Sequence, residues 1–328
     1  TGSSVTLLTS ALVKRYPSRL APPSDAPRVQ VTGADGTVTE LPPAAVRRIE
    51  LGDAHFDDVP VLVYDRFLAD ISAHLGLKVD GVLGFPLFRE VLLTLDYPGS
   101  RIVLRPASST APIPGSMIAF DDSRKTPVIH VGLGNRSLLA LIDSGSDAAF
   151  SVNPAGLDLK YAVPPRPGAT IGTIAGDHTQ QIARLDETLA IGGYTLPRPI
   201  AETTDELTSI GGGVLRNFAV TFDQAHDRVT FYSDSREPLR SSAPRTAGVS
   251  FSKTPAYWKI AGVVHDSPAE AAEIRTGDLV TRINGEPIAK WDLRRYETLL
   301  AAADEVTFTF LNGTAETEKR VRVFDLGP

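Results

Sequence analysis

Apolar and polar residues alternate over short stretches, and clusters of Gly, Pro, Asn and Asp interrupt them, so a period of two dominates the chain. The pattern is plain in RVQVTGADGTVTEL (28–41), IELGDAHFDDVPVLVY (49–64), GATIGTIAGDHTQQIARL (168–185) and TLAIGGYTLPRPI (188–200). Each reads as strand, turn, strand. A helical spacing of apolar positions is confined to a few places: YDRFLADISAHLG (64–76), the Ser-Pro-Ala start at DSPAEAAEI (266–274), and the stretch from Asp292 to Ala301. A mainly β protein is therefore expected.

The strand pattern is also duplicated. GFPLFREVLLTLDYPGSRIVL (84–104) and GGGVLRNFAVTFDQAHDRVTF (211–231) align without a gap. Gly84 falls on Gly211, Arg89 on Arg216, Thr94 on Thr221, Asp96 on Asp223 and Arg101 on Arg228, and the apolar positions between them also coincide. Upstream of each copy lies a second shared element. LLALIDSGSDAAFSV (138–152) in the second copy matches the opening TGSSVTLLTSALVKRY in the first, so that Thr1-Gly2-Ser3 overlies Ser144-Gly145-Ser146. The first copy is longer where the helix at 64–76 is inserted. Pro-rich connectors at 105–115 and 236–248 separate the copies from each other and from the remainder. The expected domains are 1–112, 113–238 and 246–328, the last a small α+β module.

Composition narrows the function classes. The 328 residues carry 39 acids against 33 bases, a net charge of -6, which is not the footprint of a nucleic-acid binder. The absence of cysteine excludes disulfides, thiol nucleophiles and thiolate metal sites. Six histidines, at 55, 74, 130, 178, 226 and 265, lack the spacing of a zinc site, and no Gly-rich stretch has the surroundings of a phosphate loop. No metal and no cofactor are expected. Thr1 is not an initiator Met and no leader-like stretch opens the sequence, as expected of a processed or partial chain.

The candidate chemistry sits at Leu141-Ile142-Asp143-Ser144-Gly145-Ser146, where a carboxylate follows an apolar strand and precedes a hydroxyl and a glycine. A charge emerging from buried strand is costly unless hydroxyls and backbone N–H groups hold it. Were a twin loop to meet it across an approximate twofold axis, two carboxylates would share one proton and hold a water between them.

Asp143-Ser144-Gly145-Ser146 resembles the D-[ST]-G-[SA] loop of aspartic peptidases, and the later Val82-Leu83-Gly84 and Ser209-Ile210-Gly211 resemble the family's second signature. The size of each copy is similar to a retropepsin-like subunit, so residues 1–235 resemble two such lobes in tandem. The resemblance implies roles. Asp143 is half of a catalytic pair, Thr1 and Ser144 brace the two loops through their hydroxyls, and Gly2 and Gly145 let backbone approach the carboxylates. The partner Asp is expected directly before Thr1, at the end of about 25 residues of strand matching 118–142. Flap hairpins are expected at Gly33-Ala34-Asp35-Gly36 and at Gly172-Thr173-Ile174-Ala175-Gly176, binding substrate.

The tail resembles a PDZ domain. Gly248-Val249-Ser250-Phe251 is similar to its carboxylate-binding loop, with Ser250 in place of a glycine, and residues 267–288 match its helix, Gly-Asp turn and Ile-Asn-Gly strand. The resemblance implies capture of a C-terminal peptide as an added strand. Together these imply a bacterial aspartic endopeptidase acting on protein or peptide substrates, with the PDZ domain recruiting or positioning them, in the periplasm or secreted. Two alternatives stay open at this point: an inactive peptidase-like binding protein, and a homodimer using only Asp143.

Overall fold

The computed structural model describes residues 1–33, 37–75, 77–173, 176–235, 237–240, 245–254 and 256–326, without the side chains of 74, 167–173 and 176–180. The chain is mainly β and forms two compact units. One gathers Thr1–Asp65, Asp80–Ala162 and Arg184–Ser241; the other gathers Arg66–Val79, Val163–Ala183 and Ser242–Pro328.

In the first unit, β1 (Leu7–Leu8) is followed by a short helix α1 (Ser10–Arg15), whose N-terminus Thr9 caps by accepting from the Leu12 N–H. The hairpin β2 (Val29–Thr32) and β3 (Val38–Leu41) comes next. A longer hairpin follows, β4 (Pro43–Leu51) and β5 (Ala54–Val63), turning at Gly52 with φ +59°. The chain then enters helix α2 (Asp65–Leu75), where the sequence shows its inserted helical stretch, and returns as β6 (Gly81–Val82). β1 lies between β5, to which it is parallel with Leu7 opposite Leu62, and β6, to which it is antiparallel with Leu7 opposite Val82. A 3-10 turn over Phe85–Phe88 leads into the hairpin β7 (Val91–Asp96) and β8 (Arg101–Pro106).

The second copy repeats this plan and adds strands before it. β9 (Ser116–Asp121), β10 (Val128–Leu133) and β11 (Arg136–Ile142) run up to Asp143. β12 (Phe150–Val152) follows, then the hairpin β13 (Tyr161–Thr173) and β14 (Gly176–Leu185). β15 (Thr188–Ile191), β16 (Tyr194–Pro197), β17 (Ile200–Thr203) and β18 (Ser209–Ile210) lead to helix α3 (Gly212–Leu215), β19 (Ala219–Asp223) and β20 (Arg228–Tyr232). β12 is parallel to β17 and antiparallel to β18, as β1 is to β5 and β6.

The two copies join through their terminal hairpins in the strand order β9-β20-β19-β7-β8. β19 and β7 are antiparallel with Thr221 opposite Thr94, Val220 opposite Leu95 and Phe222 opposite Leu93. Thr94 and Thr221 are the same position of the repeat, so the pairing is symmetric about them and an approximate twofold axis passes between their side chains. Their hydroxyls share a hydrogen bond of 2.8 Å across a sequence separation of 127. Beneath the hairpins lies an aromatic core, with Phe85 of the first copy edge-on to Phe120 and Phe222 of the second at 5.8 and 5.3 Å. Phe85 and Phe222 are fully buried, and burial of each ring contributes on the order of 2 kcal/mol.

The second unit contains its own sheet. A short pair, β21 (Arg245–Thr246) with β28 (Phe324–Asp325), flanks the order β22 (Val249–Lys253), β23 (Trp258–Val263), β24 (Leu279–Ile283), β26 (Glu305–Asn312), β27 (Ala315–Arg322), and β25 (Glu286–Pro287) pairs with β24. Helix α4 (Pro268–Ala271) is capped by Ser267 and helix α5 (Leu293–Ala302) by Asp292, each side chain accepting from the N–H three residues on. Phe251, Trp258, Tyr296 and Phe308 form its aromatic centre, with Phe251 edge-on to Tyr296 at 5.3 Å.

Candidate active site

β11 carries Ala140 and Ile142 with no exposure and delivers Asp143 to a half-buried position at its end. Backbone geometry fixes the loop. The Asp143 N–H donates to the Ile210 carbonyl at 2.9 Å, and the Gly145 N–H donates to Asp143 Oδ1 at 2.8 Å. The carboxylate is therefore held by the loop that carries it.

The opening loop of the first copy meets this one. Thr1 Oγ1 donates to the Ile142 carbonyl at 2.5 Å and accepts from the Ser144 N–H at 3.1 Å, while the Thr1 nitrogen donates to Ser144 Oγ at 2.5 Å. Each hydroxyl thus grips the opposite loop. Gly2 lies against the carboxylate: a Cβ there would stand 2.3 Å from Asp143 Oδ1. Any other residue at position 2 would have to push the carboxylate aside.

Matching contacts brace the two loops from below. The Phe85 N–H donates to the Ser3 carbonyl at 2.8 Å, and the Gly212 N–H donates to the Ser146 carbonyl at 2.7 Å. A Cβ on Gly84 would stand 2.4 Å from the Val5 carbonyl carbon, and one on Gly211 would stand 2.5 Å from the Ala148 carbonyl oxygen. The second signature thus needs glycine because backbone crosses backbone there.

Two further residues belong to the surroundings and escaped the sequence reading. Burial and, after it, the Asp143 charge hold the Tyr97 phenol above its ordinary value, which places that ring in the field of the carboxylate. Gln224, buried, donates from Nε2 to the Phe85 carbonyl at 2.8 Å and so ties the second copy to the first copy's turn. The aligned repeat sets Tyr97 and Gln224 at one position, just past the shared Asp; that was the available signal.

Of the expected flap residues, Gly33 closes its hairpin by donating to the Thr37 carbonyl at 2.8 Å, and Gly172, Thr173 and Gly176 lie at the inner ends of β13 and β14. Ala34, Asp35, Gly36, Ile174 and Ala175 fall outside the described residues. In the tail, Gly248 has φ +80°, and a Cβ there would stand 2.7 Å from Ser267 Oγ. Its N–H donates to Thr246 Oγ1 at 2.9 Å and its carbonyl accepts from Val264 at 2.8 Å. Val249 and Phe251 point into the core, and the strand bulges between Ser250 and Phe251, where Ser250 Oγ is buried without a partner. Among the described residues, His265, Asp266 and Glu270 are grouped within 4.8 Å, all exposed, with Glu270 accepting from the Asp266 N–H and contacting His265 Nδ1.

Comparison with known sequences agrees with this geometry. The aspartyl protease family profile matches residues 1–87, and a PDZ domain profile matches residues 259–311. The first segment is thus similar to aspartyl proteases and the second to PDZ domains. Asp143 lies outside that match, in the second copy of the internal repeat, whose first copy the profile matches in part. Similar solved structures include a retropepsin-like aspartic protease from Rickettsia conorii, 17% identical over 36% of this chain and 89% of that one, with a TM-score of 0.27. EIAV protease in complex with the inhibitor HBY-793 is 21% identical over 29% of this chain and 90% of its own, with a TM-score of 0.25. A PDZ domain protein from Parabacteroides distasonis is 20% identical over 26% of this chain, with a TM-score of 0.24; the match spans 21% of that protein. No curated protein matches the chain.

Proposed function

We propose that the protein is an aspartic endopeptidase whose Asp143 works with an Asp at the position directly before Thr1, and whose PDZ domain recruits or positions protein substrates. The observation that carries this reading is the reciprocal hydroxyl grip between Thr1 and Ser144, with Gly2 packed on the Asp143 carboxylate. In the aligned repeat Thr1 overlies Ser144, so the position before Thr1 corresponds to Asp143. In the reaction, the ionised carboxylate takes a proton from a water while the protonated one polarises the scissile carbonyl. The water oxygen bonds to the carbonyl carbon, the tetrahedral intermediate collapses, and the proton passes to the leaving nitrogen as the C–N bond breaks. Because one proton must be shared, activity requires a singly protonated pair and falls on either side of that state.

The same contacts weigh against the homodimer. A second chain's loop would have to displace Thr1 from the Ile142 carbonyl and the Ser144 N–H. The test is Asp143→Asn in a protein carrying the preceding Asp, assayed on a library of quenched fluorescent peptides. Cleavage should drop by roughly 10²–10⁴-fold with the melting temperature unchanged. Undiminished cleavage would overturn the assignment.

A further inference from the structure

Although α2 is inserted between β5 and β6, its residues Arg66–Val79 belong to the compact unit that holds residues 242–328. Within that unit Lys253 Nζ, at the end of β22, donates to the Leu75 carbonyl at the end of α2, at 3.4 Å. The last carbonyls of a helix have no partner inside it and carry a partial negative charge, so an ammonium suits that place. Lys253 is also deeply set. Val249, Phe251 and Lys253 are the inward positions of β22 and all three are buried, Lys253 at 9% exposure. Phe251 packs on Tyr296 of α5 at 5.3 Å, and Lys253 Nζ lies over the Trp258 ring at 5.0 Å. Burial holds the ammonium below its ordinary value, while Glu297 of α5 and its cap Asp292 pull the other way. The ammonium therefore sits between β22 and α5, and the carbonyl it holds is that of α2. This end of α2 buries little apolar surface, with Leu75 37% and Leu77 65% exposed, whereas Leu68, two turns earlier, is fully buried. Its docking is thus polar and separable, while the helix itself stays anchored.

Among the described residues β22 is the edge of its sheet, and an edge offers its outer backbone groups to an added strand. A peptide captured with its chain end at Gly248–Ser250 runs along β22 toward Lys253. At about 3.4 Å per residue it has room for about five residues before it meets that end of the slot. We propose that α2 competes with the ligand of the PDZ domain: its C-terminal turn, held by Lys253, closes the far end of the slot between β22 and α5, and a longer peptide must displace it. The domain then takes a short chain end freely and a longer strand only when α2 undocks. For the longer strand the apparent affinity is lowered by the fraction of molecules in which the slot is open. The inference rests on the peptide capture in the proposed function and not on cleavage.

The test compares the full chain with its Lys253→Met variant, both carrying Asp143→Asn so that no peptide is cut. A decapeptide is selected on the Lys253→Met protein from a random library with free C-termini, and fluorescence anisotropy compares it with the tetrapeptide of its last four residues. The decapeptide should bind the Lys253→Met protein at least tenfold more tightly than the parent, while the tetrapeptide binds both alike. In the parent, hydrogen exchange in residues 66–79 should speed up when the decapeptide is added, a readout that does not depend on the folding of the Lys253 variant. Equal decapeptide affinities overturn the inference and leave peptide capture standing. A gain shared by the tetrapeptide, or one without faster exchange in 66–79, shows that Lys253 meets the peptide directly and overturns the inference as well. If no library peptide binds either protein, the recruiting role of the PDZ domain fails and this inference fails with it.

Discussion

At the scale of single residues, what the site demands is mostly room. Gly211 has an ordinary φ of -111°, so its identity is a matter of space and not of backbone strain: the Ala148 carbonyl oxygen and Ser146 Oγ stand 2.5 and 2.8 Å from where a Cβ would go. Gly211→Ala should therefore cost about 1–3 kcal/mol, read as a fall in the urea midpoint, whereas Gly193→Ala, with 3.6 Å to its nearest atom, should change it little. Charge matters at another residue. Hydrogen bonding to Glu270, and then the nearby acids, hold His265 above its ordinary value of 6.5, while the same contact holds Glu270 below its own. A His whose folded value is raised contributes stability that is full below the unfolded value and is lost as pH rises through the folded one. An NMR titration should find His265 titrating late, and Glu270→Gln should return it toward the ordinary value; an unmoved His265 would refute the pairing. Asp143, Thr1 and Ser144 stand out in the sequence because their loop and the Gly-apolar-strand element after it recur in the same order in both copies; an Asp-Ser-Gly tripeptide alone occurs in many turns. Tyr97 is marked only by its place in the repeat, opposite Gln224, and that place does not say which charge the ring will face.

Among the elements, the repeat announced two cognate hairpins but not how they meet. Strand pairing between segments so distant in sequence depends on register, and register is set by faces and neighbours that a local alternation does not specify. The structure resolves it with β7 against β19 and Thr94 opposite Thr221. Thr94 and Thr221 satisfy one another, and Thr221 is 6% exposed, so removing one hydroxyl strands the other. Thr94→Val and Thr221→Val should each cost about 1 kcal/mol, and the double variant clearly less than the sum, because it leaves no unpaired hydroxyl on the axis. Strict additivity in that cycle would mean the hydrogen bond contributes nothing. The inserted helix was legible at 64–76 from its apolar spacing and lies at Asp65–Leu75, and the PDZ helix expected at Asp292–Ala301 is α5 with Asp292 as its cap. Both are local features, which is why a local pattern reveals them.

At the level of the whole molecule, contacts group Arg66–Val79 and Val163–Ala183 with residues 242–328, an association that spacing along the chain does not encode. The linkers mark where the sequence changes character, not which segments pack together. One consequence of the architecture can be tested without knowing the substrate. Both loops of the proposed cleft come from one chain, gripped across a separation of 143 residues by Thr1 and Ser144. Assembly of the site is therefore a folding event and not an encounter, and it has no dependence on concentration, unlike an obligate dimer, whose folded fraction falls on dilution. Cleavage per mole of enzyme carrying the preceding Asp should stay constant over about 100-fold dilution, with a monomer in sedimentation at the lowest concentration assayed. A steep loss of specific activity on dilution would show that a second chain supplies part of the site, and the Thr1 contacts to the Ile142 carbonyl and the Ser144 N–H would then have to open to admit it.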